Sequence, residues 1–274
     1  MKLDFKSPRL YLFSSMIAAV PAIPLQLAAY LTAYSNAETN YFFANSPLPT
    51  LATIFSILSC ILATVSVFLW ERDPISVPAP CGTLATFPAA LGFLAGGTLF
   101  LLTNTQKMTY LLPAFCFMAA IYNIALIFTN KKHQTVAALI GFSAVIVCIL
   151  FNGYFYFDST LEMNAPLKVT VQLGFLAAMI YFISEIRALL GITLPRVYLL
   201  ANACTVGFGA LSSIPVTLAY LLQVFKPQAS PFTASLTAQL FDHPEYLAGS
   251  VVLFGICISA AWRLFQALSD KEDA

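Results

Sequence analysis

Eight apolar stretches, each long enough to cross a membrane, alternate with short polar joints along the 274-residue chain. Their limits fall near 8–34, 48–70, 84–104, 108–129, 135–157, 166–190, 197–222 and 246–268. A helix rises 1.5 Å per residue, so ~20 residues span the ~30 Å hydrocarbon layer. Unpaired backbone groups are too costly in lipid for an open strand, so each stretch is predicted to be a helix. The longest joint runs from about Gln223 to Glu245 and is too short for a soluble domain. Within it Ser230 and Pro231 suit a cap and first helical position, and Phe232, Leu236 and Phe241 recur at roughly helical spacing. That pattern predicts a short amphipathic helix on the membrane surface. The expected architecture is an all-α bundle of eight transmembrane helices, with residues 1–274 forming a single polytopic domain.

Composition agrees with lipid as the solvent. Hydrophobic residues make up 59% of the chain and charged residues 9%, against about 25% charged in soluble domains. Mean hydropathy is +0.83. A net charge of +1 offers nothing to nucleic acid, and the placement of charge matters more than its sum. With an even number of spans both termini share a side. If that side is cytoplasmic, inner segments carry Lys2, Lys6, Arg9, Arg72, Lys131, Lys132, Arg187, Arg196, Arg263 and Lys271, and outer ones only Lys107, Lys168 and Lys226. The bias predicts cytoplasmic N- and C-termini. Tyr11, Trp70, Tyr198 and Trp262 near inner ends, and Tyr34, Tyr110, Tyr154, Tyr156 and Tyr246 near outer ends, would form the interfacial belts. Reporter fusions after Ala274 and at the Lys131–Lys132 turn are expected to read the cytosolic side; signal from the far side at either place overturns this orientation. A cleavable signal peptide ending near Ser35-Asn36-Ala37 is the competing reading of the first span. The apolar run is longer than such peptides need, and Pro21 and Pro24 interrupt it.

Inside lipid, small and polar residues mark packed faces. Gly92 and Gly96 form GxxxG, Gly209 and Ser213 repeat the spacing, and Gly255, Ser259 and Arg263 lie four apart on one face. Close helix packing is the expected role of all three sets, with Arg263 near enough to the inner end to snorkel. Ionisable residues within spans are costly and mark candidate sites. Glu185 in "YFISEIRALLG" is the clearest. Arg187, two residues on, points elsewhere, so Glu185 is expected to meet a cation from another element, Arg263 or Arg196. A structural clamp is favoured over a functional relay. Pro21 and Pro24 are expected to cut the first span, and Pro215, after Ser212 and Ser213, the seventh. Broken helices of this kind line substrate sites in transporters, with Gln26 and Asn202 the nearby polar side chains.

The joint "FDSTLEMNAPLK" (Phe157 to Lys168) concentrates polarity between the fifth and sixth spans. Ser159 and Glu162 fit a capping box, and Asn164 fits an N-cap with Pro166 in the following turn. Lys168 is unfavourable near a helix N-terminus and is expected to reach headgroups or pair with Asp158 or Glu162. Convergence of Asp158, Glu162, Asp242, Glu245 and His243 on a cation is a minor alternative. The sequence carries no HExxH, GxSxG or phosphate-cradling glycine loop, and its two histidines, His133 and His243, fall in joints. Five of the six cysteines sit in apolar runs and none forms CxxC, so they read as small buried hydrophobes. No catalytic residue, cofactor or metal site is expected.

The strings "FDSTLEMNAPLK" and "YFISEIRALLG" resemble a pattern in uncharacterised bacterial multi-pass membrane proteins. That resemblance covers the fifth and sixth spans, implies a bacterial plasma membrane, and transfers no activity or site residue. The reading that follows is a non-enzymatic membrane protein that binds, senses or scaffolds, with lipid, a membrane-protein partner or a second copy as its company. The alternative is a small-molecule permease, or a subunit of one, built on the proline-broken helices.

Overall fold

The computed structural model describes residues 8–32, 34–35, 41–42, 46–69, 77, 81–103, 110–129, 133–158, 166–225 and 244–269. The first apolar stretch is two helices, α1 (Pro8–Ala19) and α2 (Ala22–Thr32), and α3 (Leu48–Leu69) follows. A 3-10 turn at Leu84–Thr86 leads into α4 (Phe87–Thr103), and α5 (Leu111–Phe128) and α6 (Gln134–Phe157) come next. α7 (Pro166–Leu189), α8 (Pro195–Phe225) and α9 (Pro244–Ser269) complete the order. Counting α1 and α2 as one, the described residues hold eight spans long and apolar enough to cross a membrane. α1, α7, α8 and α9 each begin on proline, where the missing N–H has no helical partner to lose.

The distribution of side chains is that of a protein solvated by lipid. Phe68, Leu102, Phe128, Leu139, Phe157 and Phe225 point outward, while serines, tyrosines and an arginine are enclosed. In water such a surface would be an aggregation hazard. Here it is the part that meets hydrocarbon.

Leu12, Ala63, Tyr198, Leu199, Leu264 and Ala267 pack in one cluster. The start of α1, the end of α3, the start of α8 and the end of α9 therefore share one side of the bundle, called the terminal side below. On the opposite side, β1 (Tyr34–Ser35) pairs antiparallel with β2 (Tyr41–Phe42). The first span thus ends at Thr32, and Tyr34, expected as a belt residue at a helix end, belongs to this short strand pair instead.

α9 packs against α4, α7 and α8. Its approach to α4 depends on glycine. A Cβ added at Gly255 would lie inside contact distance of the Pro88 carbonyl and 2.9 Å from Gly92 Cα. Ser259 Oγ, one turn further along α9, accepts a 2.9 Å hydrogen bond from the Ala89 N–H. That amide is in the first turn of α4 and has no partner within its own helix. The four-residue spacing of Gly255 and Ser259 is thus used as expected, for a close helix pair.

The prolines behave differently from one another. The chain breaks at Val20–Pro21, where turn hydrogen bonds link Ile23 N–H to the Val20 carbonyl and Leu25 N–H to the Pro21 carbonyl. Pro24 falls in the first turn of α2, where no N–H is needed. Pro215 does not cut its span: α8 runs continuously from Pro195 to Phe225. The Ser212 and Ser213 hydroxyls both donate to the Gly209 carbonyl, and buried Leu211 and Val216 anchor the helix on either side. One lost backbone bond does not outweigh that packing. The expected amphipathic helix on Ser230 to Phe241, the Ser159–Glu162 capping box and the Asn164 cap lie outside the described residues.

Candidate functional site

Glu185 on α7 and Arg263 on α9 meet near the terminal side. Arg263 Nε is 3.5 Å from Glu185 Oε1, and both side chains are buried, Arg263 completely. Of the two cations expected to meet Glu185, Arg263 is the partner; Arg196 stands at the exposed start of α8. Arg187 turns outward as its spacing requires, with Nε donating to the Ile192 carbonyl at 3.3 Å. The expected snorkelling of Arg263 does not occur. α9 is enclosed by α4, α7 and α8, so its guanidinium has a carboxylate within reach and protein between it and the headgroups.

Tyr198 completes the contact, its hydroxyl donating to Glu185 Oε1 at 2.7 Å. Gly191 makes this meeting possible. Its φ of 73° lies in the left-handed region that closes helices at little cost only with glycine. Ile192 N–H reaches back to the Arg187 carbonyl at 3.0 Å, the chain reverses, and the first turn of α8 comes alongside the last turn of α7. Arg263 also hydrogen-bonds the Tyr181 hydroxyl. Tyr122 from α5 lies within the field of the pair. Glu185 Oε2 and the Tyr122 hydroxyl are buried and make no hydrogen bond to a described residue.

A short loop lies across the terminal end of this cluster. Gly82 N–H donates to the Leu126 carbonyl at 3.0 Å, and Gln266 Nε2 donates to Thr83 Oγ1 at 3.1 Å. Cys81 begins the loop. Burial pushes its thiol up from the usual range, while a hydrogen bond with Gln134 and the Arg263 charge act in the other direction.

A second polar group occupies the opposite side of the same two helices. Lys168 on α7 is buried rather than spread toward headgroups. Its Nζ donates to the Asp158 carbonyl at 2.6 Å, while Asp158 Oδ2 accepts from the Tyr246 hydroxyl at 2.9 Å. Lys168 therefore meets Asp158, one of its two expected partners, through the backbone carbonyl. Glu162, Asp242 and His243 lie outside the described residues. Among the described residues no group of three His, Cys, Asp or Glu side chains could hold a metal ion.

Seventeen residues separate Lys168 from Glu185 along α7, and seventeen separate Tyr246 from Arg263 along α9. At 1.5 Å per residue this is about 25 Å, close to the ~30 Å hydrocarbon thickness. The two helices run parallel and in register, with a polar contact at each end. Between those ends the space is filled by rings. Phe93 and Phe182 centroids are 5.7 Å apart, Phe151 stacks on Phe175 at 4.7 Å, and Phe155 stacks on Tyr246 at 4.5 Å. Such spacings are those of well-packed aromatic pairs. The interior between α4, α6, α7 and α9 is filled by packed aromatic and apolar side chains along most of the membrane depth.

The prolines singled out as pointers to a site come together on other terms. Ala22, beside Pro21, packs with Ala52 and Leu211, one turn before Pro215. Gln26 is buried, one turn before the buried Tyr30 on α2. Asn202 Nδ2 donates to the Tyr198 carbonyl at 2.7 Å. The α1–α2 break and Pro215 thus flank an apolar contact, and the Asn202 Oδ1 nearby is buried with no hydrogen bond to a described residue. No family model, curated protein or solved structure matches the chain.

Three tyrosines of the terminal-side cluster were not expected in a site. By its position Tyr198 reads as a belt residue, and the sequence reading singles out neither Tyr122 nor Tyr181. The available signal was their placement within a few turns of Glu185 or of a span end, which sequence alone does not convert into direction. Tyr246 was likewise assigned to the outer belt and is buried against Asp158.

Proposed function

We propose that the chain is a non-enzymatic protein of a bacterial plasma membrane, with both termini cytoplasmic, that binds a membrane-resident molecule on its lipid-facing flanks. The observation that carries this reading is the aromatic filling between the two polar contacts. It gives the interior a structural role and moves recognition to the outside. Two grooves support the same view. One, of 610 Å³, lies between α4, α8 and α9 and is lined by Leu94, Thr98, Thr217 and Leu247 among others. The other, of 470 Å³, lies between α6 and α7. Both fall in the size range of ligand pockets. The positive-inside bias supports the orientation, and the resemblance of the fifth and sixth spans supports the bacterial membrane.

The rival permease reading gives a direct test. Liposomes containing the purified chain are expected to hold a proton gradient and entrapped solutes as long as empty liposomes do. Flux that the chain adds and that Gln26→Leu removes would overturn the proposal in favour of a permease.

A further inference from the structure

We infer that the α6–α7 groove is a glycerolipid site, in which an acyl chain lies along the groove and its ester carbonyl is held by two amides. This rests on the binding reading above and names its ligand. α6 contributes Ile149, Asn152, Gly153 and Tyr156, and α7 contributes Gln172 and Leu176. The α6 set follows the i, i+3, i+4, i+7 pattern of one helix face, and Gln172 and Leu176 lie four apart.

The two amides are the reason to expect a ligand with polar atoms. A side-chain amide facing hydrocarbon is costly unless it finds a partner. Asn152 Nδ2 donates to the Cys148 carbonyl at 3.1 Å, which leaves its second N–H and its oxygen for another group. Gln172 makes no hydrogen bond to a described residue. Depth selects the ligand. Asn152 is five residues from the end of α6, and Gln172 is six residues into α7, so both lie roughly 7–9 Å below the helix ends on the opposite side. α6 has 24 residues and overshoots a 30 Å layer by roughly 3 Å at each end. The amides therefore sit about 5 Å inside the hydrocarbon boundary, just beneath the level of the glycerol esters, with Tyr156 one turn above them at the belt.

Shape selects a chain over a helix. The floor of the groove is Gly153, where an added Cβ would meet nothing within 4 Å. The open space over Gly153 is the space of a missing side chain, whereas a partner helix is about 10–12 Å across. A methylene chain suits such a space better than a helix does.

Gly153 also makes the test clean, because filling the groove there does not disturb the fold. The full-length protein, extracted in mild detergent, is expected to retain glycerophospholipid in native mass spectrometry. Gly153→Leu, and separately the double variant Asn152→Leu with Gln172→Leu, should lower lipid occupancy about tenfold, the scale of two hydrogen bonds in lipid, with unfolding temperature not reduced. Add-back should favour diacyl-ester over dialkyl-ether phosphatidylglycerol. Equal occupancy in wild type and both variants overturns the site. Retention of a second chain or another protein at this face, abolished by the same variants, overturns the lipid and leaves the binding reading standing. Wild-type protein that retains no lipid or partner overturns both.

Discussion

Arg263→Leu is expected to remove most folded protein from the membrane, and to destabilise what remains by about 3–5 kcal/mol, because it leaves Glu185 buried without its counter-charge. Glu185→Gln should cost less than Glu185→Leu, since a glutamine oxygen still accepts from Tyr198, 2.7 Å from the carboxylate in the native protein. The informative variant is the double Glu185→Leu with Arg263→Leu. Two apolar side chains in place of a buried pair are often neutral or stabilising, so the double variant should regain most of what either single variant loses. Thermal unfolding in detergent and a double-mutant cycle measure this coupling. If Glu185→Gln folds normally and abolishes a cellular phenotype, the pair is a functional relay and the clamp reading fails.

The consequence of that clamp is geometric. Arg263 joins α9 to α7, and Tyr198 joins α8 to the same carboxylate oxygen. At the other end Asp158, at the end of α6, joins Lys168 on α7 to Tyr246 on α9. Apolar contacts between helices are nearly non-directional in lipid, where hydrocarbon competes on equal terms with side chains. Two polar contacts about 25 Å apart fix rotation and register together, which no single contact does. The aromatic column between them then packs in one arrangement.

The span limits were legible because lipid imposes one rule on the whole chain. Any stretch that exposes backbone to hydrocarbon must be helical, and a run of about 20 apolar residues has few other options. Glu185 was legible for the same reason: an acid in a span needs a cation, and the chain offers few. What sequence did not reveal was which face of α9 the other helices enclose. Arg263 snorkels if its face of α9 meets lipid and is buried if that face meets other helices, and both produce the same string of residues. Tyr198 and Tyr246 share this ambiguity, since a tyrosine near a span end serves equally as a belt residue or as a hydrogen-bond donor to a buried acid. Pro215 shows the converse limit. Its local chemistry argues for a break, and the packing of α8 on five other helices of the bundle overrides it.

Gly255→Leu should be the most damaging glycine substitution in the chain, costing about 3 kcal/mol or more. The atoms in the way are the Pro88 carbonyl and the Cα of Gly92, both backbone, so no side chain can rotate aside and the helices themselves must separate. Separation also draws Ser259 Oγ away from the Ala89 N–H, leaving an amide in the first turn of α4 without an acceptor in a medium that offers none. Gly255→Ala should reproduce most of the loss, because the collision begins at Cβ. Gly96→Ala should cost less, since part of its conflict is with the terminal methyl of Val252, although the Ala248 carbonyl at 2.8 Å limits that relief. Gly153→Ala should be neutral or stabilising by about 0.5–1 kcal/mol, the ordinary helix preference for alanine. Unfolding temperatures of the four variants in one detergent test the order. If Gly255→Ala unfolds no earlier than Gly153→Ala, the close approach of α4 and α9 is not what holds the centre of this bundle.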